Sequence, residues 1–311
     1  MKADIVIATY NGAARLQKTL ASFEKMAQHS QTPIHDWRIL IVNNNSSDNT
    51  REVALSFQGR LPLEVIDAPM PGKSAALNSV IPLFKADTII FSDDDVELYP
   101  DWLDKMLATV EREKEYDVFA GRITGYWEQP LPGDLAAHVP IGSTYAIHDK
   151  EETGPCDPGI VWGPNMAIRK SVFDAGHKYN EVIGPQPKKL YPMGQDSEMA
   201  KRLSRAGHKS YFVGDAIVKH TVKAATVTEE WIIKRAERLG YGIFAVKGAA
   251  IGYSRKYPFM PIVLELILLR IFWACIFPLT TIMPAGKHRF WSRWKKYFYR
   301  GLLKSYFVFG Q

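Results

Sequence analysis

The sequence predicts an α/β protein built on a parallel sheet, and three observations carry that prediction. Short β-rich runs alternate three times with helix-like segments between Asp4 and Phe91, the rhythm of strand, crossover helix and strand. Thr88–Phe91, the last of these runs, is continuously apolar, as in strands covered on both faces. Polar or acidic clusters follow several of them, and in open α/β sheets ligands bind off the carboxyl ends of the strands.

The elements follow in order. Asp4–Thr9 (DIVIAT) is the first strand, and Ala13–Gln28 has Leu16, Leu20, Phe23 and Met26 at helical spacing. Trp37–Val42 (WRILIV) reads as a buried strand, followed by the polar run 43–49, in which Ser47 or Asp48 is a candidate helix cap. Leu63–Asp67 is strand-like, Pro71–Lys73 opens a helix expected to run through Phe84, and Thr88–Phe91 (TIIF) is a further buried strand. From Gly125 to Pro164 proline and glycine accumulate and periodicity is lost, so loops are expected. A helix over Asp196–Ala206, strands at Lys209–Val213 and Ala216–Val218, and a long helix over Thr228–Lys247 capped by Thr228 complete the reading.

The 311 residues are 46% hydrophobic and 23% charged, which excludes a disordered chain or a polytopic membrane protein as the leading class. Two widely separated cysteines, Cys156 and Cys275, suggest no disulfide framework and a reducing compartment. The N-terminal residues enter a strand without a signal-like apolar stretch, and the catalytic part is expected in the cytoplasm. The net charge of +6 is unevenly placed: residues 254–311 hold ten Lys or Arg against Glu265 alone, leaving 29 basic against 32 acidic residues before them. Basic residues interleaved with Phe290, Trp291, Trp294, Tyr297, Phe298 and Tyr299 point to a membrane surface rather than to nucleic acid.

Four clusters are candidates for chemistry. Ala8-Thr9-Tyr10-Asn11-Gly12 offers hydroxyls, an amide and a ring to a nucleobase, and serves equally as a turn before a helix. Asn43–Asp48 can read a base edge through its amides, or be a capped polar turn. Asp93-Asp94-Asp95 sets three repelling carboxylates at a strand end, an arrangement a cation such as Mg²⁺ or Mn²⁺ would relieve. Gly194-Gln195-Asp196-Ser197-Glu198 opens a helix, where carboxylates either complement the helix dipole or supply a general base.

Taken together, IVIATYNG, IVNNNSSDNT, PGKSAALN, FSDDDVELYPDWL, GPNMAIRKSVF, GQDSEMAKRLSRAGHKSYFV and VKH, in this order across roughly residues 3–221, resemble the family 2 glycosyltransferases, inverting enzymes of the Rossmann-like GT-A fold with a mixed sheet. The resemblance implies that Ala8, Thr9, Tyr10, Asn11 and Asn44 line the nucleotide of a nucleotide-sugar, with Lys73 near its diphosphate. Asp93, with Asp94 beside it, would serve the ribose or diphosphate side, while Asp95 and His220 would hold Mn²⁺ or Mg²⁺. Gly163, Asn165 and Glu198 would border the donor sugar and acceptor, and Asp196 would be the catalytic base. Gln195 stands where the family usually has an acid, and Asn43 and Asn44 where acids are common. The implied reaction is a single displacement with inversion, most readily from a UDP-sugar.

Residues 1–225 are therefore expected to form the catalytic domain and 226–311 a helical, membrane-associated extension. Phe259–Met283 is apolar except for Glu265 and Arg270, long enough to span a bilayer, but a single crossing would carry the basic block outward. A re-entrant or interfacial pair at the cytoplasmic face of the inner membrane is expected instead, peripheral or monotopic, with a glycan or glycolipid acceptor. Trp231 and Arg235–Gly242 loosely resemble helical elements near the acceptor in membrane-bound members. A nucleotidyltransferase making nucleotide-sugars would need a glycine-rich basic loop after the first strand, and a dehydrogenase would need GxGxxG there. A non-catalytic sugar- or membrane-binding protein on a transferase scaffold is the alternative from a different class.

Overall fold

The computed structural model describes residues 2–187, 190–251, 271 and 287–309. The described chain divides into two compact units. The first comprises Met1–Tyr126, Ala146–Val182 and Gln195–Thr221, and the second Trp127–Tyr145, Ile183–Gly194 and Val222–Gln311.

In the first unit, β1 (Ala3–Thr9), β2 (Trp37–Asn43), β3 (Leu63–Asp67) and β4 (Thr88–Ser92) run parallel in the order β3-β2-β1-β4. The register pairs Thr9 with Asn43 and Asn43 with Asp67, so three strand ends open on one edge. Beyond β4 the sheet becomes mixed: β8 (Met166–Arg169) is antiparallel to both β4 and β6 (Val118–Trp127). Next come β9 (Ser210–Val222) and, antiparallel to it, β5 (Val96–Leu98) and the short β7 (Gly154–Pro155).

Apolar runs on these strands feed two cores because successive side chains point to opposite faces. Ile5, Ile7, Ile39, Ile41 and Ile90 pack with α1 (Ala13–His29) and α4 (Trp102–Arg112), where the Phe23 and Trp102 rings meet edge to face at 6.0 Å. Val6, Leu40, Val42, Ile89 and Phe91 face α3 (Lys73–Ser79), α7 (Lys170–Asp174) and α8 (Gln195–Arg205). At the opposite end of β1, buried Asp4 is satisfied by Arg38 at 2.6 Å and by the amides of Lys85 and Ala86.

Four local readings change. The helix expected to Phe84 stops at Ser79, and a separate 3₁₀ turn covers Ile81–Leu83, since Pro82 lacks the N–H a continuing helix needs. Asn49, not Ser47 or Asp48, precedes α2 (Thr50–Leu55), although Asp48 accepts from the Thr50 amide at 3.1 Å. The two late strands are one, β9. The expected loop region also contains the end of β6, α5 (Gly133–Ala136), α6 (Ile141–Tyr145) and β7.

In the second unit, α9 (Glu229–Ile251) packs along α10 (Lys287–Phe309). The helices touch through glycines: a Cβ on Gly240 would lie 2.0 Å from the Phe298 carbonyl oxygen, and one on Gly301 1.9 Å from that of Glu237. Glu237 then binds Arg300 at 3.2 Å and Lys304 at 2.9 Å, while Glu229 binds Arg293. The expected cap forms, with the Trp231 amide donating to the Thr228 hydroxyl at 3.3 Å. Among the described residues no helix is long and apolar enough to cross a membrane. The apolar stretch 259–283 lies outside them, apart from Ile271.

Candidate active site

Asp93, Asp94 and Asp95 leave the end of β4 and divide into two roles. Asp94 is buried, accepts the Thr9 hydroxyl at 2.6 Å and is gripped by Arg15 through two contacts of 3.0 Å. It therefore braces β4 to the start of α1, its carboxylate engaged within the protein. Asp93 and Asp95 converge instead with His220, each offering a ligand atom within 4.8 Å of the others.

The antiparallel pairing of β5 with β9 delivers His220. It sets Val96 opposite His220, the Thr221 amide donates to the Asp95 carbonyl at 2.9 Å, and His220 Nε2 lies 3.3 Å from Asp95 Oδ1. Two carboxylates and an imidazole form a donor set suited to Mn²⁺, or to Mg²⁺ with additional oxygen ligands. The residues present thus fit the expected divalent ion.

Lys73 begins α3 and places its ammonium on Asp93. Burial draws its pKa down, but the charges of Asp93, Asp196 and Asp95 outweigh burial and hold it above the ordinary lysine value. Lys73 is a fixed positive charge.

Asp196 lies in the first turn of α8. Its Oδ2 accepts the Gly163 amide at 3.1 Å, and its buried Oδ1 has no hydrogen-bond partner. A Cβ at position 163 would stand 2.8 Å from that same Oδ2, so the approach requires glycine. Burial pushes the Asp196 pKa up to about 6, with Asp93 adding to the rise while Lys73 and the Gly163 amide oppose it. A carboxyl tuned in this way accepts a proton near neutral pH.

Two residues expected to border the sugars are engaged inside the protein. Asn165 is fully buried: its amide donates to the carbonyls of Arg122 at 2.9 Å and Ala216 at 2.8 Å, and its oxygen accepts the Trp102 indole at 2.9 Å. Glu198 is also fully buried and takes Arg202 at 2.8 and 3.2 Å. Both side chains spend their hydrogen-bonding capacity inside the protein and hold the segments that carry Gly163 and Asp196.

The residues expected at the base lie along the opened strand edge. Tyr10 is 55% exposed, Ala8 is partly buried, and Asn11 takes a left-handed φ of 44° while accepting the Ser47 amide at 2.8 Å. Asn44 donates its backbone amide to Thr9 at 2.9 Å, and its buried side-chain oxygen has no partner. Sequence reasoning missed Arg15, whose partner is 79 positions away, and Tyr179. Asn78 clamps the Tyr179 backbone on both sides, and its buried hydroxyl has no partner. Burial and the charges of Asp196 and Asp93 hold that phenol well above its ordinary pKa. A tyrosine in an irregular segment gives no local sign of such surroundings.

Residues 4–176 match the family model described as Glycosyl transferase family 2. The chain belongs to this family of glycosyltransferases. It is 27% identical over 241 residues to glycosyltransferase AglE of Haloferax volcanii, covering 76% of this chain and 71% of that one. It is 22% identical over 245 residues to the succinoglycan biosynthesis protein ExoM of Rhizobium meliloti, covering 76% and 72%. Among solved structures, S. aureus TarS 1–349 in complex with UDP aligns with a TM-score of 0.55 at 15% identity, over 100% of this chain and 92% of that one. The Pyrobaculum calidifontis mannosyltransferase PcManGT, in complex with GDP-Man and Mn²⁺, aligns with a TM-score of 0.58 at 14% identity, over 98% and 86%. These likenesses establish the GT-A fold, whose mixed sheet and flanking helices are those described above.

For a family 2 glycosyltransferase, the division of labour among its acids follows from the geometry. Asp93 and Asp95 share one cluster with His220, Asp196 stands near Lys73 with an unoccupied acceptor atom, and Asp94 and Glu198 are locked to arginines.

Proposed function

We propose that this glycosyltransferase is a metal-dependent, inverting enzyme that moves a sugar from a nucleotide diphosphate donor to an acceptor hydroxyl, with Asp196 as general base. The observation that carries the reading is the Asp196 carboxylate, lifted to about 6, held by the Gly163 amide on one oxygen and without a partner on the buried other. That unpaired oxygen is suited to take the acceptor proton as the hydroxyl attacks the anomeric carbon from the face opposite the nucleotide. Asp95 and His220, with Asp93, would hold the divalent ion. A bound Mn²⁺ or Mg²⁺ supplies Lewis-acid neutralisation of the departing diphosphate. Lys73 holds Asp93 in place and keeps a positive charge beside the leaving group, and Ala8, Tyr10, Asn11 and Asn44 border the base.

A UDP-sugar is the donor we favour, since TarS was solved with UDP and with UDP-GlcNAc. PcManGT was solved with GDP-Man, so guanosine donors belong in the test. We place the acceptor, a glycan or glycolipid precursor, at the cytoplasmic face of the inner membrane. Support comes from α10, which carries seven Lys or Arg and no acid among Trp291, Trp294 and Phe298. Such a helix suits an anionic bilayer surface.

The deciding experiment measures binding and hydrolysis of UDP-, GDP- and dTDP-sugars with Mn²⁺, with Mg²⁺ and with chelator. Metal-dependent binding of one donor, lost in Asp95→Ala, is expected. Binding of no donor would overturn the reading in favour of a non-catalytic scaffold.

A further inference from the structure

The second unit contains two arginines whose charge the described residues leave unanswered. Arg235 and Arg238 sit three positions apart on α9, so they share a face one and two turns beyond Trp231. Both guanidiniums lie over that indole, with their central carbons 5.4 and 5.9 Å from its centroid. Arg238 also lies over Tyr191 at 5.6 Å and donates to its hydroxyl at 3.2 Å. Tyr145 stacks on Trp231 with ring planes 1° apart, and its hydroxyl is 3.0 Å from the Thr226 carbonyl.

What this face lacks is an acid. Among the described residues no carboxylate lies within ion-pair distance of Arg235 or Arg238, whereas the acids of α9 are all engaged: Glu229 with Arg293, Glu230 with Lys234, Glu237 with Arg300 and Lys304. Arg235 Nε is buried and has no acceptor. A buried N–H donor without a partner is costly, and two guanidiniums side by side without a counter-charge compound that cost unless an anion joins them. Burial, and then the charge of Arg238, pull Arg235 down to about 10, consistent with a pair waiting for negative charge.

We propose that Arg235 and Arg238, walled by Trp231, Tyr145 and Tyr191, form a binding site for a phosphate group. One guanidinium fork matches one carboxylate, but two forks on one face match a group with three or four oxygens and up to two charges. Tyr191 adds to the set, because a phenol that accepts from Arg238 keeps its own hydrogen to donate. The phosphate is either that of a soluble phosphate ester or that of a lipid headgroup. The site belongs to the second unit and does not depend on the role assigned to Asp196.

The test uses the full chain in chelator, titrated calorimetrically with inorganic pyrophosphate, beside flotation on phosphatidylcholine vesicles with and without phosphatidic acid. Arg235→Gln and Arg238→Gln are expected to weaken pyrophosphate binding at least tenfold, and Asp95→Ala to change it less than twofold, which separates this site from the donor site. Arginine dependence in the vesicle arm alone assigns the phosphate to a lipid headgroup. Arg235→Lys, which keeps the charge and loses the fork, is read if the glutamine variant fails to fold, and it too should bind more weakly. Wild-type behaviour of Arg238→Gln and of the folded Arg235 variant in both arms overturns the proposal.

Discussion

Replacing Asp196 with Asn should cripple catalysis and, at neutral pH, make the protein more stable. The carboxyl ordinarily titrates at 3.8 and in the folded protein at about 6. Because the native state holds this proton more tightly than the unfolded chain, native stability falls as pH rises from about 4 to about 6, and the full penalty stands above that window. A shift of about two units corresponds to roughly 3 kcal/mol, and partial exposure of the side chain discounts this to ~1–3 kcal/mol. Asparagine is nearly isosteric with the protonated acid and keeps an oxygen for the Gly163 amide, so it removes the penalty without opening a cavity. Urea denaturation in chelator should therefore show Asp196→Asn equal to wild type below pH 4 and more stable by ~1–3 kcal/mol above pH 7. Loss of the base should lower kcat by about 10²–10⁴-fold, and the wild-type rate should rise with pH to a plateau above about 6. A stability difference that does not vary with pH, or a variant less stable than wild type at pH 7, would refute the argument.

Three other substitutions probe the division of roles. Asp94→Ala strips Arg15 and Thr9 of a buried partner and should cost about 2–4 kcal/mol in denaturant, while the metal concentration needed for half-maximal donor binding stays unchanged. Asn165→Ala leaves the Trp102 indole and two carbonyls unpaired and should cost about 3–5 kcal/mol; a loss under ~1 kcal/mol with an altered donor KM would return Asn165 to the sugar site. Tyr179→Phe removes a buried hydroxyl that has no partner, so ligand-free stability should hold or rise by up to ~1–2 kcal/mol, as thermal unfolding would report.

Much of the first unit was legible before folding was considered. The runs DIVIAT, WRILIV, LEVID and TIIF became β1 to β4 within a residue or so at their ends, because β1, β2 and β4, buried on both faces, declare themselves in largely apolar consecutive side chains, while the half-exposed edge strand β3 shows only as a short β-rich run. The acidic run after β4 and the carboxylates opening α8 stood out for the same local reason. Val118–Trp127 and Met166–Arg169 were not read as strands: Gly121 and Gly125 interrupt the first, and the second has only four residues. Asp196 and Glu198 are two apart on a helix and so point to different sides, but that only Glu198 is locked to an arginine came from the structure.

The sequence by itself determined which segments fold as strands or helices and which polar clusters end them, since both depend on neighbours a few residues apart. Only the tertiary structure decided which acids act together. His220 reaches Asp95 because β5 and β9 pair across more than a hundred residues, Arg15 claims Asp94 and leaves Asp93 to Lys73, and Arg202 claims Glu198 and leaves Asp196 to Gly163. A carboxylate becomes a ligand, a base or a brace according to the charge and burial around it, and chain segments distant in sequence supply both.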